Sequence, residues 1–339
     1  MKLVITGDVM LGRLVDQHVI RKTDMSSEYV WGDCMDLFYE ADLRLTNLEC
    51  VISSLGEPWR PLEKAFHFRA HPRAIEALTA AQIDFVSLAN NHTLDYGTEA
   101  LVECLFLLER AGITHAGAGR NKTEAEAPAF LDAKGSTVAV ISVTDNEPSW
   151  EAKDSTPGTF YVDYGPKGLT APYRSYVERA IAKVRDRADL LIVSAHVGPN
   201  WGPPSRAMQA LAHELVDMGF DMFWGHSNHA PLPVEIYQKR PILYGTGDFI
   251  DDYAVDRRER NDLSFLFALD WQDNGWRLTL YPTKIKGFQA NRVYGEEAAL
   301  VMDRMALGSR VFGTDVHRMD DRIVISEAKG ERAKAKESE

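Results

Sequence analysis

Five short apolar runs, each followed by polar side chains that can bind a metal, constrain the fold of this chain most strongly. Four runs cover residues 2–6, 43–46, 85–89 and 190–194, and the fifth, 220–223, follows a helical stretch and a glycine. The polar side chains after these runs are Asp8, Asn47, Glu49, Asn91, His92, His196, His226 and His229. Because strand ends in an α/β sheet converge on one crevice, the repetition predicts an α/β fold with a single site.

Composition is that of a globular protein and argues against a nucleic-acid partner. The chain has 339 residues, of which 45% are apolar and 26% charged. Its formal net charge of −12 disfavours a nucleic-acid surface, which needs clustered Lys and Arg. A small anionic substrate stays compatible, because a local metal site can reverse the field. We expect one domain over residues 1–326 and a charged, disordered tail over residues 327–339.

Cysteine usage and hydropathy predict a cytoplasmic protein without a membrane partner. Cys34, Cys50 and Cys104 form an odd set without CxxC spacing, which favours reduced thiols over a disulfide framework. The N-terminus begins directly with a strand and lacks the basic and apolar regions of a signal peptide. No stretch approaches the roughly 20 apolar residues that cross a bilayer. The sequence leaves the oligomeric state open.

Two motifs in the first fifty residues supply carboxylates. Two glycines bracket a predicted loop that lets Asp8 and Arg13 point into a common space, although Asp8 would also suit a helix cap. Asn47 and Glu49 project from one face of a strand by period-two alternation. Polar groups on a buried face need partners, and a metal would supply one. A solvated strand end is the alternative.

The stretch from residue 90 to residue 97 combines a metal-type ligand with a proton-transfer group. The side-chain carbonyl of Asn91 is an acceptable ligand for a divalent ion, and His92 beside it can donate a proton. Asp95 follows one helical turn later and can orient that imidazole. An asparagine-rich helix cap with an incidental histidine is the alternative.

Histidines at two later strand ends complete the candidate set. His196 leaves its strand beside glycine and proline, where a ligand is well placed, although a lone histidine there is more often a satisfied core residue. His226 and His229 leave another strand on a tight, glycine-led loop. Asp248 follows a further strand through a glycine loop, and it either supports a histidine or caps a turn.

These residues together predict a centre with two divalent metal ions. The candidate ligands are Asp8, Glu49, Asn91, His196, His226 and His229. This set exceeds the three protein ligands of a typical catalytic zinc site and fits two ions that share a carboxylate. Nitrogen and oxygen ligands without thiolate are compatible with Mn, Fe or Zn. Such a centre generates hydroxide, and Arg13 and protonated His92 would stabilise developing negative charge, so we predict metal-assisted hydrolysis.

The ordered motifs resemble those of a known family. The motifs lie at residues 7–13, 47–49, 89–92, 194–196, 225–229 and 244–249. They resemble the CapA family, which is named for poly-γ-glutamate capsule synthesis and belongs to the calcineurin-like metallophosphatase superfamily. The resemblance covers about residues 1–300. It implies a four-layer αββα sandwich with two mixed β-sheets and a dinuclear centre at the strand ends.

The resemblance also implies a role for each site residue. One ion would be held by Asp8 and His229, and the other by Asn91, His196 and His226. Glu49 would bridge the two ions. His92 would be the general acid supported by Asp95, and Arg13 would bind the anionic group of the substrate.

Three positions depart from the superfamily pattern. Met10 stands where a histidine usually follows the first aspartate by two residues. Glu49 replaces the usual bridging aspartate, as in the CapA branch. His226 and His229 are separated by three positions instead of two.

Three functional hypotheses follow. The first is a dinuclear metal-dependent hydrolase, in which metal-bound hydroxide attacks a small anionic phosphoester or a related ester or amide. The second is hydrolysis or transfer of a γ-glutamyl amide bond at the same centre. The third is a non-catalytic accessory subunit of a ligase complex, which Met10 favours. The presence of His92, Asp95 and Arg13 opposes the third, because a binding module needs no oriented acid.

Overall fold

Strands and helices alternate along most of the chain in the computed structural model, which describes residues 1–60, 64–272 and 275–327. The α-helices are α1 (Arg13–Val15), α2 (Met35–Tyr39), α3 (Ala74–Ala80), α4 (Gly97–Ala111), α5 (Lys122–Ala125), α6 (Tyr173–Ala182), α7 (Arg206–Asp217) and α8 (Gly295–Val311). The strands are β1 (Lys2–Val9), β2 (Leu43–Leu48), β3 (Val51–Ile52), β4 (Arg69–Ala70), β5 (Phe85–Ser87), β6 (Thr114–Ala116), β7 (Ala118–Gly119), β8 (Ala129–Ala133), β9 (Ser136–Thr144), β10 (Gly158–Thr159), β11 (Tyr164–Gly165), β12 (Gly168–Leu169), β13 (Leu190–His196), β14 (Met222–His226), β15 (Val234–Tyr237), β16 (Arg240–Leu243), β17 (Asp248–Ile250), β18 (Leu263–Gln272), β19 (Gly275–Ile285), β20 (Ala290–Arg292), β21 (His317–Arg318) and β22 (Ile323–Ser326).

Two mixed sheets contain most of the strands. The larger sheet has the order β21-β22-β19-β18-β1-β2-β5-β6, with β17 beside β1 and β20 beside β19. The smaller sheet has the order β15-β16-β14-β13-β9-β8. In the larger sheet the pairs from β1 to β6 are parallel, and the pairs from β1 through β18 and β19 to β21 are antiparallel. In the smaller sheet the pairs among β9, β13, β14 and β16 are parallel, and the edge strands β8 and β15 are antiparallel to their neighbours. This mixture of strands and helices confirms the predicted α/β class.

Alternation along the central strands explains how both faces of each sheet become buried. Leu3 and Ile5 of β1 share a core with Ile192 of β13, whereas Val4 packs with helical residues such as Leu105. Val193, the neighbour of Ile192, belongs to a third core that includes residues of α6 and α7. Period-two alternation therefore places one apolar core between the sheets and one on each outer face.

The first strand differs from the prediction of a glycine-bracketed loop after Thr6. It continues through Asp8 to Val9, because both residues keep their pairing with β2 and β17. Gly7 is needed there for close approach of two backbones: a Cβ atom at this position would lie 1.8 Å from the carbonyl oxygen of Gly247. Asp8 thus points into the site from a paired strand.

The content of Pro, Gly, Ser and Asp in residues 145–173 predicts a surface excursion or lid, but this segment contributes to the interior. Trp150, Phe160 and Val162 are buried, and Tyr161 pairs with Thr144 at the end of β9. The sequence predicts a helix over residues 174–187, and in the structure α6 covers Tyr173–Ala182. The charged tail predicted from residue 327 lies outside the described residues except for Glu327. No helix in the described ranges is long and apolar enough to cross a membrane.

Truncation of Phe267 tests the core between the sheets. The side chain is fully buried on β18. We expect Phe267→Ala to lower the free energy of unfolding by about 3–5 kcal/mol, because it removes apolar contacts and leaves a cavity. Urea unfolding measures this change, with Phe106→Ala on the exposed side of α4 as the control. Equal effects for the two variants would contradict the assignment of this core.

Candidate active site

Strand register brings the predicted residues to one edge of the two sheets. Asp8 of β1 is aligned with Asn47 of β2 on one side and with Asp248 of β17 on the other. In the smaller sheet, His196 of β13 is aligned with His226 of β14. All five side chains are buried. The ends of these parallel strands therefore meet in one crevice, as expected for an α/β sheet.

A first group of potential metal-binding atoms joins the two sheets. The Nδ1 atoms of His196 and His226 lie 2.8 Å apart. The distance to Asp8 Oδ1 is 4.0 Å from His196 Nδ1 and 3.8 Å from His226 Nδ1. The Ser194 hydroxyl lies 2.8 Å from His226 Nε2, so that the Nδ1 edge of this ring faces the group. Asp8, His196 and His226 thus offer one oxygen and two nitrogens within 4.8 Å of one another.

A second group consists of carboxylates. Asp8, Glu49 and Asp248 each offer an oxygen within 4.8 Å of the others. Glu49 also lies near the first group, because its Oε1 is 3.9 Å from His196 Nε2. The Tyr253 hydroxyl donates to Glu49 Oε2 at 3.2 Å. Asp8 is the carboxylate that both groups share.

Burial shifts these carboxyl groups toward their neutral forms when no cation is present. It raises the pKa of Asp8 to about 6, although Asn47, which donates to Asp8 Oδ1 at 2.7 Å, opposes the rise. Burial first, and the charge of Asp8 second, raise the pKa values of Glu49 and Asp248 well above their ordinary values. None of the three pairs with a Lys or Arg of the described residues. A divalent cation would stabilise all three charges.

Burial also keeps the histidines of the first group neutral, which is the form that binds metals. It lowers the pKa of His226 to about 3. It lowers the pKa of His196 well below the ordinary value, and the neighbouring His226 adds to this effect. Neutral imidazole nitrogens together with carboxylate oxygens suit Mn, Fe or Zn.

The side-chain oxygen of Asn91 provides a separate test of whether this site fits a metal. It is buried and accepts no hydrogen bond from any group in the described ranges. A buried polar atom without a partner is uncommon in a folded protein. An amide oxygen is an acceptable ligand for a divalent ion, and the amide nitrogen of Asn91 lies 3.2 Å from His92 Nε2, beside the two groups. The chemistry of this orphaned atom and of the two groups therefore fits such ions.

His229 lies outside both groups. Its Nδ1 is 2.9 Å from Asp248 Oδ1, and its Nε2 is 3.1 Å from the side-chain nitrogen of Asn200. The ring also contacts Trp201 and Tyr253, with centroid distances of 5.2 and 5.1 Å. Both ring nitrogens are engaged, so the role of His229 as a ligand stays a prediction. The contact with Asp248 matches the alternative in which this carboxylate supports a histidine.

His92 and Asp95 form a buried imidazole–carboxylate pair beside the two groups. His92 Nδ1 lies 2.5 Å from Asp95 Oδ2, and His92 Nε2 lies 4.0 Å from Glu49 Oε1. The ring of Phe68 stacks on the imidazole with a centroid distance of 3.7 Å. Burial lowers the pKa of His92 to about 4, against the opposing charge of Asp95. Asp95 therefore holds the Nδ1 edge, and Nε2 faces the carboxylates.

Arg13 lies at the rim of this crevice in a strained backbone conformation. Its φ of 52° is in the left-handed region that residues other than glycine rarely adopt. Its Nε is 3.3 Å from Asp252 Oδ2, and its side chain is 31% exposed. The guanidinium carbon lies 5.4 and 5.9 Å from the ring centroids of Phe68 and Tyr253. A partly exposed cation thus stands next to the ring that stacks on His92.

The structure groups the ligands differently from the assignment implied by the family resemblance. That assignment places Asp8 and His226 on different ions and makes Glu49 the bridging ligand. In the structure, Asp8 belongs to both ligand groups, and His226 lies in the first group with it. Met10, at the position of the usual histidine, is fully buried, and its sulfur accepts the Gly12 N–H at 3.1 Å. The assignment of ligands to ions stays a prediction.

Sequence patterns did not identify three residues that contact the site. Phe68 and Lys64 come from residues 56–73, where three prolines predict a long loop that forms a rim of the site but select no individual side chain. Lys64 Nζ lies 2.8 Å from Asp95 Oδ1. Tyr253 lies just beyond residues 248–252, whose three aspartates could have indicated a site but give no reason to select the tyrosine.

Comparison with known proteins gives a family context. Residues 2–253 match the family described as "Bacterial capsule synthesis protein PGA_cap". A probable polyglutamine synthesis accessory protein of Mycobacterium tuberculosis is 29% identical over 367 residues, which cover 95% of this chain and 94% of that protein. The PGA biosynthesis protein CapA of Bacillus subtilis is 26% identical over 255 residues, which cover 74% of this chain and 63% of that protein. A solved structure of a hypothetical protein from Thermus thermophilus aligns with a TM-score of 0.42 and 16% identity, over 86% of this chain and 96% of that chain.

Proposed function

This chain belongs to the bacterial capsule synthesis protein family, and we propose that it is a metal-dependent hydrolase of a small anionic phosphoester or a related ester or amide. We infer that its two sheets and flanking helices form the four-layer calcineurin-like sandwich. One observation carries the functional proposal: the buried pair of His92 and Asp95 turns an imidazole edge toward a cluster of metal-type ligands. A protein that only binds a ligand has no need of a proton-transfer group oriented in this way.

The donor set would hold two divalent ions in this proposal. One ion would be held by Asp8, His196 and His226, and the other by Asp8, Glu49 and Asp248, with the Asn91 oxygen as a further ligand. When bound, the ions would polarise the scissile group and activate water near neutral pH. His229 would orient Asp248 through the contact at 2.9 Å between its Nδ1 and Asp248 Oδ1.

His92 would transfer the proton to the leaving group. Asp95 accepts the Nδ1 hydrogen, so the Nε2 atom is the one that can exchange a proton with a substrate. Burial keeps the pKa of His92 at about 4 in the ligand-free protein. An anionic substrate next to the ring would raise this pKa, because a nearby negative charge favours the protonated imidazole. Substrate binding and protonation of His92 would therefore occur together.

Arg13 and Phe68 would define where the anionic group of the substrate lies. Phe68 covers one face of the His92 ring and excludes water from it. Arg13 stands over Phe68, with a third of its side chain exposed. A guanidinium that is held against an aromatic ring keeps its donors in fixed directions, which suits a phosphoryl or carboxylate group.

The names of the relatives favour a second candidate substrate. The Bacillus subtilis relative is named for PGA biosynthesis and the mycobacterial relative for polyglutamine synthesis. Hydrolysis or transfer of a γ-glutamyl amide would use the same ions and the same His92, because an amide also needs a polarised carbonyl and a protonated leaving group. The word accessory in the mycobacterial name fits the third hypothesis, a non-catalytic subunit.

Removal of metal tests the proposed function. We expect chelated protein to lose hydrolysis of aryl phosphoesters or γ-glutamyl peptides, and Mn, Fe or Zn to restore it, because no Lys or Arg of the described residues pairs with the buried carboxylates of the two groups. Metal content per chain, measured on protein purified without chelator, should approach two ions. Hydrolysis that survives chelation would contradict metal dependence. Failure of the metal-loaded protein on every ester and amide tested would favour the non-catalytic subunit.

A further inference from the structure

Lys64 is a largely buried cation that the proposed chemistry leaves without a role. Its side chain is only 11% exposed. Its Nζ lies 2.8 Å from Asp95 Oδ1 and 3.3 Å from Glu147 Oε1, and it also donates to the backbone carbonyl of Asn91. The ring of Trp150 lies under the ammonium group at 4.3 Å. One ammonium group therefore connects residue 64, the loop 91–95 and the segment 147–150.

The two oxygens of Asp95 have different partners. Oδ2 accepts from His92 Nδ1 at 2.5 Å and from the backbone N–H of Phe68 at 2.6 Å. Oδ1 is buried and accepts no hydrogen bond of good geometry from any described group, so its contact with Lys64 Nζ at 2.8 Å is an ion pair and not an aligned hydrogen bond. Asp95 itself is fully buried. A buried carboxylate needs a counter-charge, and among the described residues no other Lys or Arg lies within ion-pair distance of it.

We propose that Lys64 is a positioning residue, which fixes the Asp95 carboxylate and through it the His92 ring; this role rests on the proposed function of His92. With Lys64 next to Oδ1 and the imidazole on Oδ2, the plane of the carboxylate is held in one orientation. Glu147 and Trp150 hold the ammonium group from the far side. The ring orientation of His92 then depends on a residue that touches neither the metal ligands' side chains nor the substrate.

Lys64→Met removes the charge and keeps the length of the side chain. We expect kcat to fall by about 10-fold to 100-fold with little change in KM, as for other residues that orient a catalytic group. Metal content should equal that of the parent. Lys64→Arg should recover part of the loss, because its guanidinium can still pair with Asp95 and Glu147.

The matched control is Lys122→Met. Lys122 also combines an acidic partner and an aromatic ring, with its Nζ 3.7 Å from Glu126 Oε1 and 3.6 Å from the ring centroid of Tyr176. Among the described residues, its side chain forms no hydrogen bond or ion pair with His92 or Asp95. We expect this variant to keep the kcat of the parent.

A second measurement does not depend on turnover. The short contact between His92 Nδ1 and Asp95 Oδ2 should give a low-field proton resonance in the NMR spectrum of the full chain, and His92→Asn identifies it by its loss. We expect Lys64→Met to remove or shift this resonance and Lys122→Met to leave it unchanged. This result would support the role of Lys64 even if the parent hydrolyses no substrate, in which case the proposed function alone fails.

An unchanged resonance in Lys64→Met would overturn the positioning role, whatever the activity. An equal fall in kcat for Lys64→Met and Lys122→Met would overturn it as well. If Lys64→Met shows no cooperative thermal transition, the same measurement is made on Glu147→Gln. This change removes the second ion pair of the Lys64 ammonium group and leaves Asp95 itself unchanged. Glu147→Gln should then shift the resonance, and a spectrum like that of the parent would overturn the proposal.

Discussion

Replacement of His92 by asparagine is expected to lower kcat by about 10²-fold to 10⁴-fold, the usual contribution of a general acid or base. The reason is that Nε2 of His92 is the proton-exchanging atom at the cluster, 4.0 Å from Glu49 Oε1. Asparagine keeps a polar side chain under the ring of Phe68 but cannot transfer a proton. Metal content should stay at the level of the parent, since no metal-ligand group includes His92. Steady-state kinetics and metal analysis of the same preparation measure both quantities.

His213→Asn is the matched control for His92→Asn. His213 also pairs with a carboxylate, with its Nε2 3.0 Å from Glu235 Oε2, but it lies on α7 outside the site. We expect this variant to keep the activity of the parent. Loss of metal from His92→Asn would show that the imidazole is a ligand and not the proton donor. Activity of His92→Asn near that of the parent would contradict the proposed mechanism.

The strand-end pattern is sufficient to predict the α/β class and the neighbourhood of the site. Parallel strands place their ends side by side, so Asn47 must lie near Asp8, and His226 near His196, once each strand is recognised. The motifs also identify the family, which the match over residues 2–253 confirms. These inferences succeed because each depends on one strand and its immediate neighbour in the sheet.

The grouping of the ligands depends on contacts that the local sequence does not contain. Asp248 follows a glycine-rich loop, and only its pairing with Asp8 across β1 and β17 brings it into the carboxylate group. Gly7 has the pattern of a turn residue, but the close approach of Gly247 is what requires a glycine there. No periodicity in the sequence reports a contact between residues so far apart along the chain.

Segments without periodic structure contribute the other unexpected contacts. Phe68 and Lys64 come from a stretch with several prolines, in which no helix or strand pattern fixes the direction of a side chain. Their positions follow from backbone contacts with the His92 loop, such as the N–H of Trp59 that donates to the Asp95 carbonyl at 2.8 Å. The residues that the strand ends bring together are thus predictable from the sequence, whereas the contacts that orient their side chains depend on the segments that cover the strands.

Asp8→Asn is expected to remove most of the bound metal, and Glu49→Gln to remove less. Asp8 belongs to both ligand groups, whereas Glu49 belongs only to the carboxylate group. If Glu49 were the bridge, as the family resemblance implies, the order of the two variants would be reversed. Loss of both ions should lower kcat/KM by about 10³-fold or more, because the ions supply several kcal/mol of transition-state stabilisation. Metal content per chain and hydrolysis rates of both variants decide between the two arrangements.

Thermal and urea unfolding of the metal-free proteins separate loss of a ligand from loss of the fold. Burial raises the pKa of Asp8 from 3.8 to about 6, so the folded state favours the protonated carboxyl. The resulting penalty begins above pH 3.8, is complete above about pH 6, and amounts to about 3 kcal/mol at pH 7. Because asparagine carries no charge, metal-free Asp8→Asn should be more stable than the metal-free parent at pH 7, by up to that amount. At pH 4 the difference should nearly vanish. A variant that loses metal and is also less stable than the metal-free parent would mean that Asp8 supports the fold, and its loss of activity would then give no evidence for a shared ligand.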